Sequence, residues 1–197
     1  RIDWVGTSMG GLIGMALAAQ PAGGLRRLVL NDVGPVIAPA SLRRIGAYLG
    51  IQPVFASEQA AADALWEISR SFGPHTPEQW LALSRPMLRA VQGGWTFHYD
   101  PDIAVPFKAL LAAEDGEATR QAAQAGEAVL WQLYDAITAP TLLLRGAQSD
   151  LLSRETALAM TQRGPRARLV EFPGVGHAPT LVADDQVAVV RAFLLEA

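Results

Sequence analysis

The sequence predicts an α/β fold: a mostly parallel sheet with flanking helices, interrupted once by a helical insertion. Three observations predict it. Strand-length apolar runs alternate with helix-length patterns at both ends of the chain, over residues 1–35 and 139–197. The stretch between them, 36–138, reads as almost wholly helical. The first strand-like run also passes straight into Gly6-Thr7-Ser8-Met9-Gly10-Gly11, a G-x-S-x-G turn that opens a helix.

Each element has its own local reason. Ile2-Asp3-Trp4-Val5 reads as the end of a strand, and Leu12 to Ala19 as a helix. Gly14 and Ala18 form a small-residue seam that lets that helix lie close on a sheet. Pro21 and Gly23-Gly24 end it. Leu25 to Leu30 follows as a buried strand closed by Asn31-Asp32, so strand, helix and strand imply a parallel pair with a right-handed crossover. In the insertion, helices are expected over 40–49, 57–71, 77–91 and 118–135, the first opening after Pro39 and the third after Pro77. Trp66, Trp80, Trp95 and Trp131 lie here and read as core residues of that insertion.

Alternation then resumes. Pro140 starts a strand through Thr141-Leu142-Leu143-Leu144. Ser153 caps a helix running to Arg163, which Gly164-Pro165 stops. A strand over 167–172 precedes a last helix from Asp184 to Leu195, with Val187, Val190 and Leu194 on one stripe.

The chemistry centres on Ser8. A serine on a tight strand-to-helix turn has an exposed hydroxyl, and Gly6 and Gly10 are expected where a Cβ would collide with neighbouring backbone. The next residue, Met9, offers its N–H at a helix N-terminus, where it can stabilise an oxyanion. Serine needs a base, usually a histidine oriented by a carboxylate. Of three histidines, His177 lies in a Gly174-Val175-Gly176-His177 loop just past a strand. Asp150 lies in Arg145-Gly146-Ala147-Gln148-Ser149-Asp150, just past another. Open α/β sheets gather ligands at that edge, and Ser, Asp, His is the chain order of one such fold. His75 reads as a surface loop residue, His98 as structural, and Glu114-Asp115-Gly116-Glu117 as a solvated loop. Metal-ligand spacing is absent, and no metal or cofactor is expected.

Those motifs, together with the Leu28-Val29-Leu30-Asn31-Asp32-Val33-Gly34-Pro35 run, resemble the α/β-hydrolase superfamily, in particular small bacterial serine hydrolases with a helical cap. The resemblance implies Ser8 as nucleophile, His177 as base, Asp150 as acid and Met9 in the oxyanion hole. It also offers Asp32 as an alternative acid, since some relatives place theirs there. It implies core at 1–35 and 139–197, a cap at 36–138, and the C-terminal half of an eight-stranded sheet. A whole member has further strands before the nucleophile strand, with a loop giving a second oxyanion donor. An absent N-terminal segment, covalent or separate, is thus an expected partner, and 1–197 alone is expected to fold poorly.

The expected reaction is hydrolysis of a small carboxylic ester through an acyl-enzyme. Carbon–carbon bond hydrolysis, lactone opening and perhydrolysis use the same triad and stay open. So does a non-catalytic ligand-binding role. A net charge of −3 gives no case for nucleic acid or a membrane surface as partner. Zero cysteines exclude disulfides and agree with a cytoplasmic location.

Overall fold

The computed structural model describes residues 2–21, 24–112 and 116–196. Gly23, expected to help end the first helix, and Glu114 and Asp115 of the expected acidic loop lie outside the described residues. The chain runs β1 (Ile2–Thr7), α1 (Met9–Ala18), β2 (Leu25–Asn31), α2 (Pro39–Gly46), α3 (Glu58–Ser69), α4 (Pro77–Ser84), β3 (Leu88–Val91), β4 (Gly94–Phe97), α5 (Ala104–Ala112), α6 (Glu117–Asp135), β5 (Thr141–Gly146), α7 (Arg154–Met160), β6 (Arg168–Phe172) and α8 (Asp184–Leu195).

Four strands form a parallel sheet in the order β1-β2-β5-β6. This is the expected half sheet: the nucleophile strand and the three later strands lie side by side. The long connection from β2 to β5 carries the insertion. Strand alternation divides the leucine-rich runs between two faces. Leu28, Leu30 and Leu143 join Met15 of α1, Tyr134 of α6 and Met160 of α7 in one core. Val29, Leu142 and Leu144 join Phe172 and Phe193 in the other, with Val190 and Leu194 of α8 packed against them. Both faces are thus covered, as parallel strands require. Val187, expected on the buried stripe of α8, is 44% exposed; Phe193 takes the core position instead. β1 is an edge strand among the described residues, and its Ile2 and Val5 are exposed.

The chain divides into two compact units. One holds Arg1–Ser41, Ser71–Gly73 and Asp115–Ala197, the other Leu42–Arg70 and Pro74–Glu114, each over its described residues. This corrects the expected boundaries of 36–138. α6 falls within the expected insertion, yet its Leu130, Trp131 and Tyr134 pack with the sheet's leucines. Tyr134 is fully buried and its hydroxyl donates to the Met160 carbonyl at 2.6 Å. Burial pushes this phenol well above its ordinary range. Trp131 is therefore a sheet-side core residue, with the Arg163 guanidinium 4.2 Å over its ring.

In the second unit, Ser57 caps α3 by accepting the Ala60 N–H, and Thr76 with Gln79 forms a capping box on α4. The helix expected over 77–91 stops at Ser84. Pro86 removes a helix donor, and Leu88–Val91 pairs antiparallel with Gly94–Phe97 across Gly93, whose φ is +88°. α5 was not foreseen. His75 is half-buried, edge-on to Trp66 and Trp80 with centroids 6.2 and 5.6 Å away, and so is not the surface residue expected. No described helix is long and apolar enough to cross a membrane.

Candidate active site

The site is built where β1, β2 and β5 end on one edge of the sheet. β1 hands Ser8 to the first turn of α1 with φ +51° and ψ −119°. A non-glycine residue in that region costs roughly 1–3 kcal/mol and persists only where its surroundings impose it. Here the Ser8 N–H is tied to the Asn31 carbonyl at 3.0 Å, and its own carbonyl accepts from Gly11 and Leu12. The glycine expectation holds at Gly6, where a Cβ would run into the Gly10 backbone. It fails at Gly10, where a Cβ meets nothing within 4 Å; the second crowded position is Gly11, packed against Val33 and the Gly6 carbonyl. Met9 is the first residue of α1, so its N–H has no acceptor within the helix.

The His177 imidazole comes from the loop after β6. Its Nε2 lies 3.1 Å from Ser8 Oγ and its Nδ1 lies 2.7 Å from Asp32 Oδ2. The structure therefore brings Ser8, His177 and Asp32 together, and corrects the choice of Asp150 as the acid facing the histidine. The reason is geometric. Asp32 follows directly on the last residue of β2, with φ +56°, and its N–H donates to the Leu144 carbonyl at 2.8 Å. That holds it against the sheet edge, fully buried. Asp150 lies four residues beyond β5 and is exposed, its backbone carbonyl accepting the Ser41 hydroxyl at 2.7 Å.

A carboxylate buried this deeply must have donors. The β5 end supplies two of them: the Gly146 N–H reaches Asp32 Oδ1 at 3.0 Å, and the Ser149 hydroxyl reaches Oδ2 at 2.6 Å. The histidine loop is fixed in turn. Asn31 Nδ2 donates to the Pro179 carbonyl at 2.7 Å and to Thr7 Oγ1 at 2.9 Å, and the Gln148 N–H donates to the Val175 carbonyl. Asn31 thus joins the residue before the serine to the loop after the histidine. Sequence reasoning missed Asn31 and Ser149; the Asn31-Asp32 pair closing an apolar strand was the available signal. The arrangement can move a proton from a hydroxyl to an imidazole whose other nitrogen faces a buried carboxylate.

Comparison with known proteins agrees with this architecture. 3-Hydroxybutyrate-oligomer hydrolase of Cupriavidus necator is 50% identical over 98% of this chain and 64% of its own length. An α/β hydrolase of Novosphingobium aromaticivorans, known from its crystal structure, is 38% identical over 96% of this chain and 64% of its own, with a TM-score of 0.79. A putative hydrolase of Rickettsia typhi reaches the same TM-score at 29% identity, covering 97% of this chain and 61% of its own. The chain thus spans about two thirds or less of the length of these relatives. The sequence pattern of the α/β hydrolase family matches residues 1–192, and with the parallel sheet and its serine elbow in place, the chain belongs to that family.

Proposed function

We propose that this chain carries the catalytic machinery of a serine hydrolase acting on small carboxylic esters, with Ser8 as nucleophile, His177 as base and Asp32 as acid. One observation carries the reading: Ser8 Oγ, both nitrogens of His177 and the buried Asp32 carboxylate form one hydrogen-bonded line. Ser8 attacks the ester carbonyl carbon while His177 Nε2 takes its proton. The oxyanion that forms is held by the Met9 N–H. The C–O bond of the ester then breaks, the alcohol leaving with the proton from His177. Water attacks the acyl-enzyme with His177 again as base, releasing the acid and restoring Ser8. Asp32 fixes the imidazole tautomer and faces the imidazolium as it forms.

The relative named for 3-hydroxybutyrate oligomers, at 50% identity, favours esters of short hydroxy acids among the reactions this triad serves. The reading includes a partner segment for β1. Its edge, unpaired among the described residues, and exposed Ile2 and Val5 suit a further strand, and about a third of the relative's own length lies outside the match. That segment would supply the second oxyanion donor. The reading also keeps a cytoplasmic location, which cell fractionation tests.

A fluorophosphonate probe followed by intact-mass and peptide mapping tests the chemistry. The expected result is one adduct on Ser8 and turnover of a short p-nitrophenyl ester that Ser8→Ala abolishes. Folded, unreactive protein with the β1 partner present would falsify the hydrolase reading and favour a ligand-binding role.

A further inference from the structure

The Arg145-Gly146-Ala147-Gln148-Ser149-Asp150 motif remains to be explained once Asp150 is not on the histidine. We infer that Ser149 is the positioning residue of this motif: its hydroxyl fixes the Asp32 oxygen that fixes His177. The inference rests on the hydrolase reading above.

Proton counting makes the argument. A serine hydroxyl has one proton to donate and two lone pairs to accept with. The Leu151 and Leu152 N–H groups both donate to Ser149 Oγ, at 3.2 and 3.1 Å. With its acceptor sites taken, the hydroxyl's proton is directed at Asp32 Oδ2, 2.6 Å away. That is the same oxygen that lies 2.7 Å from His177 Nδ1. The other carboxylate oxygen is held by the Gly146 N–H. Two donors, one from the end of β5 and one from the loop after it, therefore set the rotation of the Asp32 carboxylate, one at each oxygen.

The loop is itself held in shape. Arg145 is 5% exposed; its Nε–H donates to the Leu152 carbonyl at 2.8 Å, and its Nη1 donates to Ala147 and to Glu171. The loop is thereby pinned at both of its ends, with Ser149 between them. A carboxylate held only by the Gly146 N–H could turn about its bond to Cβ and carry Oδ2 out of line with the imidazole. Loss of that alignment slows proton transfer without changing how substrate binds.

The test compares Ser149→Ala with Ser149→Thr, which keeps a hydroxyl, and counts active sites by fluorophosphonate labelling so that kcat refers only to folded protein. Ser149→Ala is expected to lower kcat roughly 10- to 100-fold with KM unchanged, the range of a lost hydrogen bond to a charged group. Ser149→Thr is expected to restore most of the rate. The far-downfield proton resonance of His177 Nδ1–H should move in the alanine variant and return in the threonine variant. Unchanged kcat per labelled serine in Ser149→Ala overturns the inference, as does an equal loss in both variants. If the unaltered protein gives no Ser8 adduct, the hydrolase reading fails first and this inference falls with it.

Discussion

β2 and β5 are neighbouring parallel strands that end on the same edge of the sheet, and each leads to an aspartate. Asp32 comes at once, buried, with its backbone bonded across to β5. Asp150 comes four residues later and is exposed. The difference shows that a place behind a strand end does not assign a role to a carboxylate. Donors do, and the last residue of β5 and the loop after it give the Gly146 N–H and the Ser149 hydroxyl to the aspartate of β2. The Arg-Gly-x-x-Ser-Asp stretch of one strand end thus serves the carboxylate of the other.

Mutations can break or sharpen that contrast. Ser8→Ala sets the floor: a fall in kcat on the order of 10⁶ is expected in ester turnover, and a smaller loss would mean that another group carries the reaction. The two aspartates should then separate. Asp32→Asn is expected to lower kcat about 10⁴-fold, by disfavouring the imidazole tautomer that the serine needs. Asp150→Asn should stay within about threefold of the unaltered rate, because both ring nitrogens of His177 face other groups. The reverse order in steady-state kinetics would return the acid to Asp150.

Gly146→Ala probes the β5 end without touching a charge. A Cβ there would run into the carbonyl oxygens of Gly176 and Val175, beside the histidine. Overpacking of this kind costs about 1–3 kcal/mol. Denaturant melts should show that loss, together with reduced kcat, because the Gly146 N–H moves away from Asp32. A neutral result in both would mean that the loop can shift freely.

The smallest effect belongs to a carboxylate remote from either strand end. Arg163 hydrogen-bonds Asp135 through two nitrogens and holds its carboxyl below the ordinary value. A folded-state value below the unfolded one gives stability that is present above the unfolded value and is lost as pH falls through the folded one. The contribution should therefore fade below about pH 4. Both side chains are more than a third exposed, so solvent screening keeps it small. Urea midpoints of Asp135→Asn and the unaltered protein should differ slightly at neutral pH and converge in acid, with kcat unchanged. A large fall in kcat would tie Asp135 to the catalytic line.

Much of this was legible from residues alone. The G-x-S-x-G elbow, the strand–helix alternation and the leucine runs report local periodicity and turn chemistry, and their strand order came out as expected. The Ser153 cap lies one residue before the helix it opens. Elements whose fate depends on distant partners were less legible. The polar–aromatic stretch 88–97 became a hairpin because its two halves pair with each other. α6 has a helix pattern readable in sequence, but nothing local says which unit its Trp131 and Tyr134 will pack into.

By itself, the sequence determined the fold class, the serine turn and the histidine loop, because each is written in adjacent residues. Tertiary structure alone decided which aspartate faces the histidine. Asp32 meets its donors from Gly146 and Ser149 across 114 and 117 residues, and meets His177 across 145. Only the pairing of β2 with β5 and of β5 with β6 closes those gaps, and a buried carboxylate is tolerated only where such donors converge.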